Sequence, residues 1–165
     1  MIQLLDSAAV LNDEGFYFNS GEDFLTTPLI VDEFRDMRSK NLVANALQNG
    51  LLKTREPSQD STERINALAK EKGFTRLSIP DVSLLALALD LQRENRIFVM
   101  LTDDYSIQNF CKVLGFKFNS VIRGKIEKTI SFKKRCKGCG RGFPPNVLVT
   151  KCPDCGSPVE SKRLG

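Results

Sequence analysis

Five consecutive apolar residues, Ile97-Phe98-Val99-Met100-Leu101, run into Thr102 and two carboxylates, Asp103 and Asp104. A helical spacing of Tyr105, Ile107, Phe110, Cys111 and Leu114 follows at once. An unbroken apolar run without alternation reads as a strand buried on both faces, as in parallel sheets covered by helices. A strand that passes directly into a helix ties the chain to α/β architecture, in which ligands gather outside the carboxyl ends of the strands. An aspartate at that junction has two readings. It caps the helix and suits its positive end, or it holds a cation where such folds bind ligands.

The same pattern recurs along the chain. Ile2, Leu4 and Leu5 lead to Asp6, and Ser7–Leu11 reads as one or two helical turns. The loop of residues 12–22 carries Phe16, Tyr17 and Phe18, read mainly as packing residues. A short strand at Phe24-Leu25-Thr26 precedes Thr27-Pro28, a helix start with proline at its first position. That helix is expected to run through Met37, with Leu29, Ile30, Phe34 and Met37 on one stripe and Glu33 among them. A carboxylate on a buried stripe needs a salt bridge or a cation. Further helices are read at 41–48, closed by Gly50, and at 58–72, closed by Gly73, with an edge strand at 51–54 between them. Ser78 and Asp81 form a capping-box-like pair at the start of the most apolar helix, Val82 to Gln92. Asp81 shares its face with Leu84, Leu85 and Ala88, while Ser83 and Asp90 are expected on the opposite side. Gly115 closes the last helix, and Phe116-Lys117-Phe118 reads as a final strand. The resulting order, β-α, β-α-α, β-α-α, β-α, β, predicts a small parallel sheet flanked by helices.

Composition narrows the chemistry. The 165 residues contain no histidine. That excludes Ser-His-Asp and Cys-His catalysis and histidine metal ligands, leaving carboxylates, lysines, thiols or a metal held by them. No apolar run approaches ~20 residues, so no membrane span is expected. The N-terminus lacks a basic region ahead of an apolar core, and a cytoplasmic location is expected. Residues 1–119 hold 13 Lys+Arg and 17 Asp+Glu, a net −4, whereas residues 120–165 hold 11 and 3, a net +8. A basic end region on an acidic body suits a polyanionic partner.

That basic region contains Cys136-Lys-Gly-Cys139 and, after twelve residues, Cys152-Pro-Asp-Cys155. Two tight Cys-x-x-Cys turns supply four thiolates to one tetrahedral zinc ion, a closed and structural site. A module of this size buries too little to fold alone, so metal binding would supply the folding energy. A disulfide pair is the lesser reading. Cys111 is left over, on an apolar helix face. The domains are read as 1–120 for the α/β body, 121–129 for a basic linker, 130–161 for a four-Cys zinc ribbon and 162–165 for a tail.

Asp6, Glu33, Asp81 and Asp104 each stand beside apolar sequence, at strand ends or on core-facing stripes. Brought together, they would form an all-oxygen cluster suited to one or two Mn²⁺ or Mg²⁺ ions rather than zinc. Such ions activate water and stabilise leaving oxygens at phosphate. Lys133, Lys134, Arg135, Lys137 and Arg141 around the first knuckle, then Arg123 and Lys125, are the candidate nucleic-acid contacts, acting through phosphate.

Strand-Asp6-Ser7, Glu33, Pro80-Asp81 and Thr102-Asp103-Asp104 together resemble a PIN domain. A PIN domain followed by a four-Cys ribbon, with the Thr-x-Asp-Tyr-x-Ile-Gln-Asn segment from Thr102 to Asn109, resembles the Nin-one-binding endonuclease family of ribosome assembly in its short archaeal form. The resemblance implies a metal-dependent single-strand endoribonuclease that matures the 3′ end of small-subunit ribosomal RNA within the pre-ribosome. It implies Asp6, Glu33, Asp81 and Asp104 as metal ligands and Ser7, Thr102 and Asp103 as auxiliary residues. The implied products carry a 3′-hydroxyl and a 5′-phosphate, and no small-molecule cofactor or membrane is involved. The residues also admit a PIN toxin-like ribonuclease on other RNAs, a non-catalytic RNA-binding assembly factor, and a zinc ribbon that contacts protein or DNA.

Overall fold

A computed structural model describes residues 1–121, 132–144 and 148–163. They fall into two compact units, within Met1–Arg123 and within Gly124–Gly165. Among the described residues no helix is long and apolar enough to cross a membrane.

In the first unit the elements are β1 (Ile2–Leu5), α1 (Ser7–Leu11), β2 (Asp23–Thr26), α2 (Pro28–Val31), α3 (Met37–Gln48), β3 (Leu52–Thr54), α4 (Gln59–Lys72), α5 (Ile79–Arg93), β4 (Phe98–Leu101), α6 (Tyr105–Leu114) and β5 (Phe118–Asn119). The strands form one parallel sheet in the order β3-β2-β1-β4-β5. The connection from β1 leads to one side and that from β4 to the other, so the adjacent carboxyl ends of β1 and β4 form the topological switch point. Leu5 is in register with Leu101, and the Asp6 amide still reaches the Leu101 carbonyl at 3.0 Å. Asp6 and Thr102 therefore leave the sheet side by side.

Leu4, Leu5, Leu84, Leu85, Leu87, Met100 and Phe110 are fully buried and centre the core, each contributing roughly 1.5–3 kcal/mol. Phe16 and Phe18 pack edge-on against Phe24, at ring distances of 6.3 and 5.1 Å, while Tyr17 is exposed. Cys111 is a buried core residue.

Four expectations need correction. The run taken as a buried strand starts one residue later, because Ile97 is exposed. The helix opened by Thr27 stops at Val31, and a new one begins at Met37, where the Asp36 side chain accepts the Ser39 amide at 2.9 Å. Met37 is consequently exposed rather than on an apolar stripe. Ser83 and Asp90 are buried, since α5 is covered on all sides: the Ser83 hydroxyl bonds that of Thr27, and Asp90 accepts from Ser58 and Ser61. The final strand is Phe118–Asn119, with Phe116 in the core.

The second unit has a three-stranded antiparallel sheet, β7-β6-β8, made of β6 (Phe132–Cys136), β7 (Gly142–Phe143) and β8 (Val159–Arg163). β8 takes in Lys162 and Arg163, which the sequence assigns to a tail.

Candidate active site

The switch point gathers the acids. Asp6 opens α1 from the end of β1, but its side chain makes no cap bond. Instead Asp6 Oδ2 accepts the Thr102 hydroxyl at 2.7 Å. Glu33 stands in the turn between α2 and α3, where Oε2 accepts the Ser7 hydroxyl at 3.0 Å and Oε1 is buried with no hydrogen-bond partner. Asp81, in the first turn of α5, closes a capping box: its Oδ2 accepts the Ser78 amide at 2.9 Å, and its own amide reaches the Ser78 hydroxyl at 3.2 Å. Asp104 caps α6 by accepting the Ser106 amide on Oδ1 at 2.7 Å, and its amide donates to the Thr102 hydroxyl oxygen at 3.0 Å. A hydrogen bond thus fixes one oxygen of each carboxylate, the arrangement that metal-ligating carboxylates require of their surroundings. For Asp81 and Asp104 the cap reading holds geometrically, and it also serves to orient the acid.

Asp103 turns elsewhere. Its Oδ1 accepts the Ser120 hydroxyl and the Val121 amide, and its Oδ2 is buried without a partner. Gln108 has no sequence signal beyond the Thr102–Asn109 motif, yet its side-chain amide donates to the Thr102 carbonyl at 2.9 Å and holds the turn.

The acids sense one another. Burial pushes the Asp6 carboxyl up to about 7, the Thr102 bond opposes this, and Asp81, Glu33 and Asp104 add repulsion. Burial likewise raises Glu33 and Asp81, each with a contribution from Asp104. Desolvation and mutual repulsion are penalties that a bound cation removes. The donor set is all oxygen and includes an orphaned buried carboxylate oxygen, which fits a hard divalent ion. Among the described residues, however, no three carboxylates crowd within 4.8 Å of one another.

The four cysteines do converge. Cys136, Cys139, Cys152 and Cys155 place their sulfurs within 4.8 Å of one another and could hold a metal ion. Cys136 Sγ lies 3.4 Å from Cys155 Sγ, and Cys139 Sγ lies 3.7 Å from Cys152 Sγ. None of the four is joined in a disulfide. Gly140 and Gly156 follow the knuckles with φ of 77° and 72°, the left-handed turn that favours glycine. The four-sulfur set fits zinc.

The candidate RNA contacts are partly engaged within their own unit. Lys137 pairs with Glu160 at 2.9 Å, Arg141 pairs with Asp154 at 2.6 Å, and Arg135 Nε donates to the Gly140 carbonyl at 2.9 Å. Lys134 lies on β6, as does Lys133. Arg123 and Lys125 lie outside the described residues.

Comparison with known proteins gives a consistent picture. A family model described as the PIN domain of ribonuclease matches residues 4–91. Endoribonuclease Nob1 of Methanothermobacter thermautotrophicus is 35% identical over 164 residues, covering 99% of this chain and 94% of that protein. Endoribonuclease Nob1 of Pyrococcus abyssi is 38% identical over 161 residues, covering 95% and 94%. The 20S-pre-rRNA D-site endonuclease nob1 of Schizosaccharomyces pombe is 28% identical over 92 residues, 55% of this chain and 23% of that protein.

Proposed function

The chain belongs to the family of the archaeal Nob1 endoribonucleases, within the PIN domains of ribonucleases, and on that footing we propose that it cuts single-stranded precursor RNA to mature the 3′ end of small-subunit ribosomal RNA. Its partners in this reading are ribosomal RNA and the pre-small subunit, and its place of action is the cytoplasm. The observation that carries the reading is the gathering of Asp6, Glu33, Asp81 and Asp104 at the β1–β4 switch point, with burial raising three of them.

In this mechanism the four carboxylates hold one or two Mn²⁺ or Mg²⁺ ions. The chemistry those ions supply when bound is polarisation of the scissile phosphate and a lowered pKa for an attacking water. The residues of the chain do the orienting. Thr102 turns Asp6, Ser7 turns Glu33, Ser78 turns Asp81, and the Ser106 amide fixes Asp104. Hydrolysis by water leaves a 3′-hydroxyl and a 5′-phosphate. Cys136, Cys139, Cys152 and Cys155 would hold one zinc ion that closes the second unit, and the basic strands of that unit grip phosphate, so binding weakens steeply with salt.

The test is cleavage of a short RNA spanning the mature 3′ end, in Mn²⁺ or in EDTA, by wild type and Asp104→Asn. A single Mn²⁺-dependent cut at the mature end, reduced on the order of a hundredfold or more in the variant with RNA binding retained, is the expected result. Equal cutting by the variant removes Asp104 from the site. Binding without cutting under either condition favours an assembly factor.

A further inference from the structure

Residues Tyr105 and Asn109 stand four apart on α6 and so share one face of that helix. The opposite face, Ile107, Phe110 and Cys111, is buried in the core. Tyr105 is 74% exposed and makes no ring contact or side-chain hydrogen bond among the described residues. Both residues line a cavity of about 320 Å³ whose other wall is the connection between α4 and α5, including Gly73, Arg76 and Leu77. That size is at the low end for ligand sites. The walls are braced underneath: Phe74 packs edge-on against Phe110 at 4.9 Å, and the Phe74 amide bonds the Ala69 carbonyl at 2.8 Å.

The cavity adjoins the acids on both sides. Tyr105 follows Asp104 directly, and Leu77 precedes Ser78, which orients Asp81. In this acid-rich neighbourhood Arg76 is exposed and pairs with no carboxylate among the described residues. Phosphates approaching the site meet repulsion from the acids and from a body of net −4. A cation kept free beside the acids offsets that repulsion locally. An exposed aromatic face, an amide on the same helix face and an unpaired guanidinium together match the chemistry of single-stranded nucleic acid.

We propose that Tyr105, Asn109 and Arg76 form a nucleotide subsite in the nuclease unit, in which one base of the RNA stacks on Tyr105 and meets the Asn109 amide while Arg76 binds a flanking phosphate. This rests on the reading that the substrate is single-stranded RNA. The subsite holds the strand beside Asp81 and Asp104 from within the first unit, independently of the basic zinc module.

The sequence offers a direct probe, since the chain has two tyrosines and no tryptophan. In a Tyr17→Phe protein Tyr105 is the sole tyrosine. Titration of this zinc-loaded, full-length variant with a short oligouridylate, with no Mn²⁺ or Mg²⁺ added so that nothing is cut, should quench its emission as the base stacks. Emission from Tyr17 in a Tyr105→Phe protein should stay constant while affinity holds. Tyr105→Ala should bind roughly 5- to 100-fold more weakly, and Arg76→Gln should lower the slope of log K against log salt by roughly 0.7. RNA binding that leaves Tyr105 emission and both variants unchanged overturns the subsite and leaves the endoribonuclease reading intact. A wild-type protein that binds no single strand overturns both.

Discussion

The hydroxyl of Thr102 donates to Asp6 Oδ2 at 2.7 Å across two strands in register. The same oxygen accepts the Asp104 amide, so one fully buried group ties the acid after β1 to the acid after β4. Thr102→Val preserves shape but removes donor and acceptor together. It should cost about 1–3 kcal/mol of stability, measured by urea unfolding. It should also move the acidic limb of the pH–rate profile upward, because the lost bond favoured ionised Asp6. Thr102→Ser should restore both.

Metal-free stability should depend on pH through Asp6. Its folded pKa, about 7, exceeds its ordinary value of 3.8. The folded state therefore binds the proton more tightly than the unfolded chain. That contribution is fully present below about pH 4 and is lost as pH rises through 7, on the order of 4 kcal/mol. Thermal melts in EDTA should show this decline, and Asp6→Asn should flatten it while abolishing cleavage. Added Mn²⁺ should raise Tm more at pH 8 than at pH 6, where it must displace the Asp6 proton.

Asp90 carries a separate load. It accepts the Ser58 amide, the Ser58 hydroxyl and the Ser61 hydroxyl, each at 2.6 Å. Burial opposes its ionisation, but these bonds and Arg55 together hold its carboxyl below the usual range. Asp90→Ala should destabilise the protein by about 2–4 kcal/mol, read from the urea midpoint, with kcat unchanged below the transition. Because the folded pKa is depressed, its contribution is present above about pH 4 and fades as pH falls below that.

The first cysteine knuckle has no room at Gly138. A Cβ there would lie 2.9 Å from Ser157 Cβ and 3.2 Å from Cys155 Sγ. Gly138→Ala should push the second knuckle away and speed zinc loss to a chelator by at least tenfold. Gly142→Ala, whose Cβ meets nothing within 4 Å, should retain zinc as wild type does.

Much of this was legible locally. Apolar runs ending in acids marked β1 and β4, Ser78 with Asp81 spelled out the capping box, and the Cys spacing announced the metal-ready cluster. These signals work because caps, knuckles and strand ends involve residues a few positions apart. The failures involve distance or saturation. Asp90 finds Ser58 and Ser61 about thirty residues away, and α5 is apolar all round, so no wheel could say which side faced solvent. The break between α2 and α3 comes from the Asp36 cap on the Ser39 amide, which the continuous apolar stripe of Ile30, Phe34 and Met37 masks in the sequence. The stripe also predicts Glu33 on a helix face. That residue stands instead in a turn, where Ser7 rather than the stripe defines its position.

The register of β1 with β4 has a consequence for the timing of synthesis. The Asp6–Thr102 bond joins residues 96 positions apart. At ribosomal elongation rates of about 5–20 residues per second, roughly 5–20 seconds separate the making of the two partners. Until β4 emerges, β1 lacks one of its two neighbours, and Asp6 has neither Thr102 nor Asp104 beside it. The switch point that brings Asp6 beside Thr102 therefore forms only after most of the first unit has been synthesised.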